Sequence, residues 1–358
     1  MSEWYPPTTP IQVVTGDTAP MPRLERVAVL GGGSWGTTFA KVLADAGHDT
    51  TLWVRRAEVA VEINDARRNT KYLPGVNLPP RLYATESLSD AVRGASIVFV
   101  SVPAQSARET LERVRPLLGE RTIVVSLMKG VERSTGLRMS ELFAEVLRID
   151  ARRIAVASGP NLALEIAREQ PTALVVASTS EETAERVARV VRTDYLRSYC
   201  NRDVIGTEFG GVLKNLIAIA VGIVDGVGYG DNTKAAVITR GLVEMTDFAV
   251  ALGGEPTTMA GLAGLGDLIA TCQSPLSRNF TAGRLLGQGY GFDDVVRKME
   301  QTAEGLRSVG SILTIARERG VAMPISQQIE DVVAGRMDPA SLAPHFAMDV
   351  DVAETRPA

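Results

Sequence analysis

The stretch RVAVLGGGSWGTTFAKVLADAG, residues 26–47, constrains the fold more than any other part of the chain. A short Val- and Leu-rich run leads straight into glycines, and the glycines lead straight into a segment of helical period. A strand that turns tightly into a helix is the opening unit of an α/β sheet. The pattern then repeats. TTLWVRR reads as a second strand and, after the helical SLSDAVRGA, SIVFVSVP as a third. TIVVSLMKG, IAVASGP and TALVVAS follow as further strands. Strands this short, apolar and interleaved with helices predict a doubly wound, mostly parallel sheet with helices on both faces.

Past about residue 205 the periodicity changes. GVLKNLIAIAVGIVDG and KAAVITRGLVEMTDFAVALGG are long helical segments, and shorter ones continue to about Val333. The expected organisation is a flexible extension over 1–24, a Rossmann-like α/β domain over 25–204, an all-helical domain over 205–340 and a loosely ordered tail over 341–358. The extension carries five prolines and no period. It lacks the basic start and apolar block of a secretory signal. No uninterrupted apolar run reaches the roughly 18 residues needed to span a bilayer. Two cysteines, Cys200 and Cys272, give no disulfide framework. The expected location is the cytoplasm, without membrane insertion.

A net charge of −4 speaks against a nucleic-acid binder. The two histidines, His48 and His345, lie in a turn and in the tail. That disfavours a histidine proton shuttle and a zinc site of the usual ligands, so no metal is expected. Acid–base work near neutral pH then falls to a retuned Lys, Asp or Glu.

Gly31, Gly33 and Gly36 fit G-x-G-x-x-G in strand–turn–helix context, with Ser34 and Trp35 in the turn. Gly31 permits the turn, Gly33 lets backbone N–H groups reach a pyrophosphate and Gly36 lets helix and strand pack closely. Arg55 and Arg56 stand at the end of the second strand, where an acid would bond a ribose 2′-hydroxyl. NADP is therefore an accepted cofactor alongside NAD, with NADPH expected to be preferred. Four further segments join polar side chains to tight backbone: SLMKG (Lys129), SGPN (Gly159 to Asn161), GLGDL (Asp267) and SRN (Ser277 to Asn279). Arg278 is suited to grip a phosphate or carboxylate with its planar fork. Singly, each segment also reads as a surface lysine or a helix cap.

Lys214 is harder to place as ordinary structure. In FGGVLKNLIAIAVG it is the one charged residue and shares a helix face with Ile217, Ala218 and Val221. A desolvated lysine has a lowered pKa and becomes a proton acceptor near neutrality. The alternative is a stem laid on apolar surface with its head in water.

With these segments together, residues 25 to about 340 resemble the bacterial NAD(P)-dependent glycerol-3-phosphate dehydrogenase family. The carriers include GGGSWGTTFA, NTKYLPGVNLP, MKGVE, SGPNLALE, EFGGVLKNLIAIAVGIVDGVGYGDNTKAAVITRGLVEM, GLAGLGDLIATC and AEG. The resemblance implies interconversion of dihydroxyacetone phosphate and sn-glycerol 3-phosphate for phospholipid synthesis. It places Ser34, Trp35, Arg55, Arg56, Lys129, Ala163, Arg278 and Glu304 at the cofactor. It places Lys129, Gly159, Asn161, Lys214, Asp267, Ser277, Arg278 and Asn279 at the substrate, with Lys214 as proton donor and acceptor. Departures are Gly32 where the family often has Ala, Asn161 where Thr or Ser is common, and QTAEG before Glu304, which leaves Thr302 without a matched role. A homodimer is expected. The alternatives are a related two-domain dehydrogenase of β-hydroxyacids or phosphogluconate, and a non-catalytic NAD(P)H sensor.

Overall fold

The computed structural model describes residues 24–299 and 304–342, without the side chains of Glu304 and Arg307. Most of the extension expected over 1–24 and of the tail expected over 341–358, and Thr302, lie outside the described residues.

Eight strands form one sheet among the described residues. They are β1 Arg26–Leu30, β2 Asp49–Trp53, β3 Leu82–Thr85, β4 Ile97–Val100, β5 Ile123–Ser126, β6 Ile154–Ser158, β7 Thr172–Ala177 and β8 Leu196–Asn201. Their spatial order is β3-β2-β1-β4-β5-β6-β7-β8. Pairing is parallel from β3 through β6 and between β7 and β8. Strand order reverses between β1 and β4, which makes that junction the switch point where open α/β sheets bind ligands. β4 and β5 are buried along their whole length, and their IVFV and IVVS runs are the uninterrupted apolar signature of central parallel strands. Val27, Val29, Phe39, Leu43 and Phe99 build the core on one face, with Phe39 and Phe99 rings 5.0 Å apart.

Two strands were not expected from the sequence: β3 and β8, the two edges of the sheet. β3 is LYAT, preceded by two prolines, and β8 is LRSYCN, of which only Leu196 is buried. Edge strands face solvent, so neither shows a clean apolar run.

The chain divides into two compact units, and the division is not a single cut. Of the described residues, the sheet unit takes those up to Met128, Ser140–Ala157 and Ala163–Val204. The helical unit takes Lys129–Met139, Ser158–Leu162 and the described residues from Ile205 on. The two loops that carry Lys129 and Gly159 to Asn161 therefore belong with the helices, although their strands belong to the sheet.

The helical unit is organised around helix Val204–Val227, with buried Phe209, Leu213, Leu216, Ile219 and Ile223. By length and composition this helix matches a membrane span, at mean hydropathy 1.6, but 83% of its apolar window is buried inside the protein. It is a core helix that is apolar all round. Helix Arg278–Gly287 crosses it at very close range. A Cβ on Gly222 would sit 2.2 Å from the Phe280 carbonyl oxygen, and one on Gly283 would sit 2.0 Å from that of Ile219. Side chains at either position would force the axes apart. The GIVDG and GRLLG spacings thus fix where the N-terminus of Arg278–Gly287, the SRN segment, lies relative to the Lys214 helix.

Candidate functional site

In the sheet unit, β1 ends at Leu30 and Gly31 turns the chain with φ +118°, a conformation that favours glycine. A Cβ there would lie 2.5 Å from the Ser101 carbonyl oxygen at the end of β4. Gly36 is more constrained still, because its Cβ would lie 1.9 Å from the Gly31 carbonyl oxygen. Gly33 is the reverse case: nothing lies within 4 Å of where its Cβ would be. It forms the N-cap of helix Ser34–Asp45, and among the described residues no side chain caps that end. The first N–H groups of the helix are left for a ligand, which suits a pyrophosphate. The Trp35 indole Nε1 is buried without a hydrogen-bond partner among the described residues, and its ring lies edge-on to Phe39 at 5.4 Å. These features fit a dinucleotide.

Gly32 stands where the family often has Ala, but here it is closely enclosed. A Cβ there would meet Val54 Cγ1 at 2.4 Å, so Gly32 and Val54 are fitted to each other. Arg55 and Arg56 are exposed just beyond β2, and Arg56 lies 3.5 Å from Glu58. The Ala163 carbonyl accepts a hydrogen bond from Thr38 Oγ1 at 3.2 Å, tying the helix that Ala163 begins to helix Ser34–Asp45. Glu304 opens helix Glu304–Glu318, and its side chain is outside the described residues.

In the helical unit, Lys214 lies midway along Val204–Val227 and is 7% exposed. Its Nζ donates to Asp267 Oδ1, and to Thr271 Oγ1 at 2.7 Å. Asp267 is 1% exposed and begins helix Asp267–Gln273, after the glycine-rich turn Leu262–Gly266. Its second oxygen, Oδ2, accepts from Lys129 Nζ at 2.6 Å. Lys129 also donates to the Gly159 carbonyl at 3.2 Å. Gly159 has φ +142°, which a side chain rarely adopts. One buried carboxylate thus holds two ammonium groups, one on each oxygen, and the set carries a net positive charge.

Electrostatics follow from this arrangement. Burial pushes the Lys214 amine down to about 7. Asp267 opposes the shift and the Lys129 ammonium adds to it. Burial with the second cation prevails over the carboxylate. A lysine poised near neutrality between donor and acceptor is what a proton-transfer role requires.

Among the remaining expected residues, Ser277 caps helix Arg278–Gly287, its Oγ accepting from Phe280 N–H at 3.2 Å. Arg278 follows at the first turn and is exposed. The buried Asn279 donates to Asn215 Oδ1 at 2.8 Å and accepts from Gly305 N–H at 3.1 Å. Its amide therefore joins the Lys214 helix to helix Glu304–Glu318. Asn161 is half-buried, two residues beyond Gly159. Thr271 and Asn215 were missed at the sequence level. The signals were available: Thr271 is four residues beyond Asp267 on one helix face, and Asn215 adjoins Lys214.

Two other buried charged groups have partners that give them a structural role. Lys41 in helix Ser34–Asp45 pairs with Asp45 at 2.6 Å and Glu169 at 2.9 Å. Glu244 accepts from the Ile325 and Ser326 N–H groups, at 2.8 and 3.1 Å, and from Ser326 Oγ at 2.6 Å. It caps helix Pro324–Val333 from a neighbouring helix.

Comparison with known proteins agrees with both halves. Family models for the NAD-dependent glycerol-3-phosphate dehydrogenase N-terminus and C-terminus match residues 26–184 and 203–343. A glycerol-3-phosphate dehydrogenase [NAD(P)+] of Leifsonia xyli is 64% identical over 90% of this chain and 87% of its own length. One of Thermobifida fusca is 53% identical over 88% and 95%. The crystal structure of glycerol-3-phosphate dehydrogenase from Coxiella burnetii superposes with a TM-score of 0.86 at 34% identity, covering 92% of this chain and all of that one.

Proposed function

This chain belongs to the NAD-dependent glycerol-3-phosphate dehydrogenase family, and from that premise we propose that it reduces dihydroxyacetone phosphate to sn-glycerol 3-phosphate, reversibly, with NAD(P)H. The observation that carries the reading is the buried Lys129–Asp267–Lys214 set in the helical unit. The Gly31–Gly36 turn and the uncapped start of helix Ser34–Asp45 would hold the cofactor pyrophosphate. Bound there, the cofactor would supply the hydride for reduction and accept it in oxidation.

In reduction, Lys214 gives the forming alkoxide its proton and is left as the neutral amine. In oxidation, the neutral amine takes the proton from the substrate hydroxyl. Asp267 holds Lys214 in place and keeps part of its charge balanced, which prevents burial from removing its proton altogether. Lys129 supplies the second cation, which favours negative charge on the reacting oxygen. Arg278 grips the phosphate, with Ser277 and Asn279 fixing the helix end from which it projects. Gly159 and Asn161 complete the substrate side.

Arg55 and Arg56, with no acid at that place, support a preference for NADP(H) over NAD(H). Reaction in the cytoplasm, by a homodimer, belongs to the same reading. It is supported by two free cysteines and by the exposed Val243 and Val250 on helix Asp231–Ala251.

Purified protein, NADPH and dihydroxyacetone phosphate, followed at the NADPH absorbance band, test the proposal. Consumption of NADPH that depends on dihydroxyacetone phosphate supports it. Oxidation of 3-hydroxyacids with no response to glycerol 3-phosphate would instead indicate a β-hydroxyacid enzyme, and binding of NADPH without turnover a sensor.

A further inference from the structure

Ser158 has a side chain that neither the fold nor the catalytic set explains. It is the last residue of β6, 4% exposed, and it clusters with the helical unit. Its Oγ is buried and has no hydrogen-bond partner among the described residues. Buried hydroxyls nearly always have one. Serines at equivalent places do: Ser126, ending β5, accepts from Met128 N–H at 3.3 Å, and Ser178, following β7, donates to the Ile154 carbonyl at 2.7 Å.

The direction of the hydroxyl is fixed by its neighbours. A Cβ on Gly211 would lie 2.9 Å from Ser158 Oγ and 3.2 Å from Lys129 Cγ. Ser158 Oγ and the Lys129 stem thus lie side by side over Gly211, filling the space that a side chain there would take. Beyond that stem, the Lys129 ammonium bonds Asp267 and the carbonyl of Gly159, the residue after Ser158.

An unsatisfied hydroxyl beside the charged set implies a partner that arrives with the substrate, since leaving it unpaired is costly. On the reading above, Arg278 serves the phosphate and the two lysines serve the reacting oxygen. The polar group of a three-carbon ketose phosphate left over is its free hydroxymethyl, which donates and accepts as serine does. We propose that Ser158 is a further substrate-contacting residue that binds this free hydroxyl and discriminates against analogues lacking it. The assignment rests on the dehydrogenase reading of the site.

The experiment compares wild type with Ser158→Ala on dihydroxyacetone phosphate and on hydroxyacetone phosphate, whose methyl replaces the hydroxymethyl. The melting temperature of each free protein is recorded as well. In the variant, the ratio of kcat/KM between the two substrates falls by about five- to tenfold, the worth of one neutral hydrogen bond. The change appears chiefly in KM for dihydroxyacetone phosphate, with KM for NADPH within about twofold of wild type. The free variant melts at or above the wild-type temperature, because an unpaired buried hydroxyl has been removed. A ratio unchanged within about twofold overturns the assignment to Ser158 alone, provided wild type turns over. A melting temperature several degrees lower also overturns it, because the hydroxyl would then be bonded inside the free protein. Wild type that fails to reduce dihydroxyacetone phosphate overturns this assignment together with the dehydrogenase reading.

Discussion

Lys129→Met tests the electrostatic design of the site directly. The substitution keeps much of the stem's volume and removes one of the two cations on Asp267. Lys129 Nζ lies 2.6 Å from Oδ2 while Lys214 bonds Oδ1. Nitrogens on the two oxygens of one carboxylate are roughly 5 Å apart at ordinary hydrogen-bond lengths. Two unit charges at that distance repel by about 3 kcal/mol at an effective dielectric of about 20, or about 2 pK units. Lys129 retains 16% side-chain exposure, and solvent screening reduces the effect to about 1–2 units. Losing the repulsion stabilises protonated Lys214, so its pKa rises from about 7 to about 8–9. Oxidation of glycerol 3-phosphate needs the neutral amine, and its rate therefore climbs with pH through that pKa. The assay is kcat against pH at saturating substrate. It avoids kcat/KM because the substrate phosphate itself titrates near pH 6. The acid limb of wild type inflects near pH 7, and that of the variant one to two units higher, whatever happens to the plateau. An inflection that stays put, or moves down, would refute the claim that Lys129 holds Lys214 low.

Lys214→Ala lowers kcat about 100-fold or more in both directions while the melting curve stays cooperative, and near-normal turnover would end its role as the proton carrier. Arg55→Ala with Arg56→Ala raises KM for NADPH about tenfold and leaves KM for NADH within about twofold, whereas equal changes for both cofactors would make the pair ordinary surface charge. Glu244→Ala strands two N–H groups and a hydroxyl at the start of helix Pro324–Val333. At a loss on the order of 3 kcal/mol, it lowers the melting temperature by about 6–12 °C without changing KM for either substrate, and calorimetry reads the outcome.

How much of the fold was legible depended on whether local sequence had to satisfy a strict steric or solvation demand. The turn at Gly31 was legible because its positive φ and its contact with Ser101 exclude a side chain. The central strands were legible because burial on both faces demands continuous apolar runs. β3 and β8 were not, since an edge strand with one neighbour and solvent on its flank tolerates Arg197, Ser198 and Asn201. Over Val204–Val227 the charges at Lys214 and Asp225 were what separated a core helix from a membrane span, because length and mean hydropathy are alike for both. The division into units was also partly hidden. What ties Lys129–Met139 to the helices is side-chain pairing at long range, such as Arg138 with Glu208 at 2.6 Å, and no local pattern encodes it.

The site follows the same logic at the level of charge. Lys214 stood out because a lone ammonium on an apolar helix is costly, and cost is visible in sequence. Its remedy was less visible, because Asp267 lies 53 residues away and Lys129 a further long interval from that acid. Lys41 and Glu244 show why the anomaly alone does not identify a catalyst. Each is as buried as Lys214. Lys41 has two carboxylates, and burial, which lowers a lysine, is outweighed so that its amine sits above its ordinary range. Glu244 has its oxygens filled by two N–H groups and a hydroxyl. Lys41 is over-supplied with partners and locked in its charged state, whereas burial pushes the Glu244 carboxyl up against the pull of its three donors. Lys214 shares one acid with a competing cation, which leaves its proton loosely held at neutral pH. What separates the two buried lysines is therefore incomplete compensation at Lys214. The same criterion separates Ser158, with an open hydroxyl, from Ser126 and Ser178, whose hydrogen bonds are made within the protein.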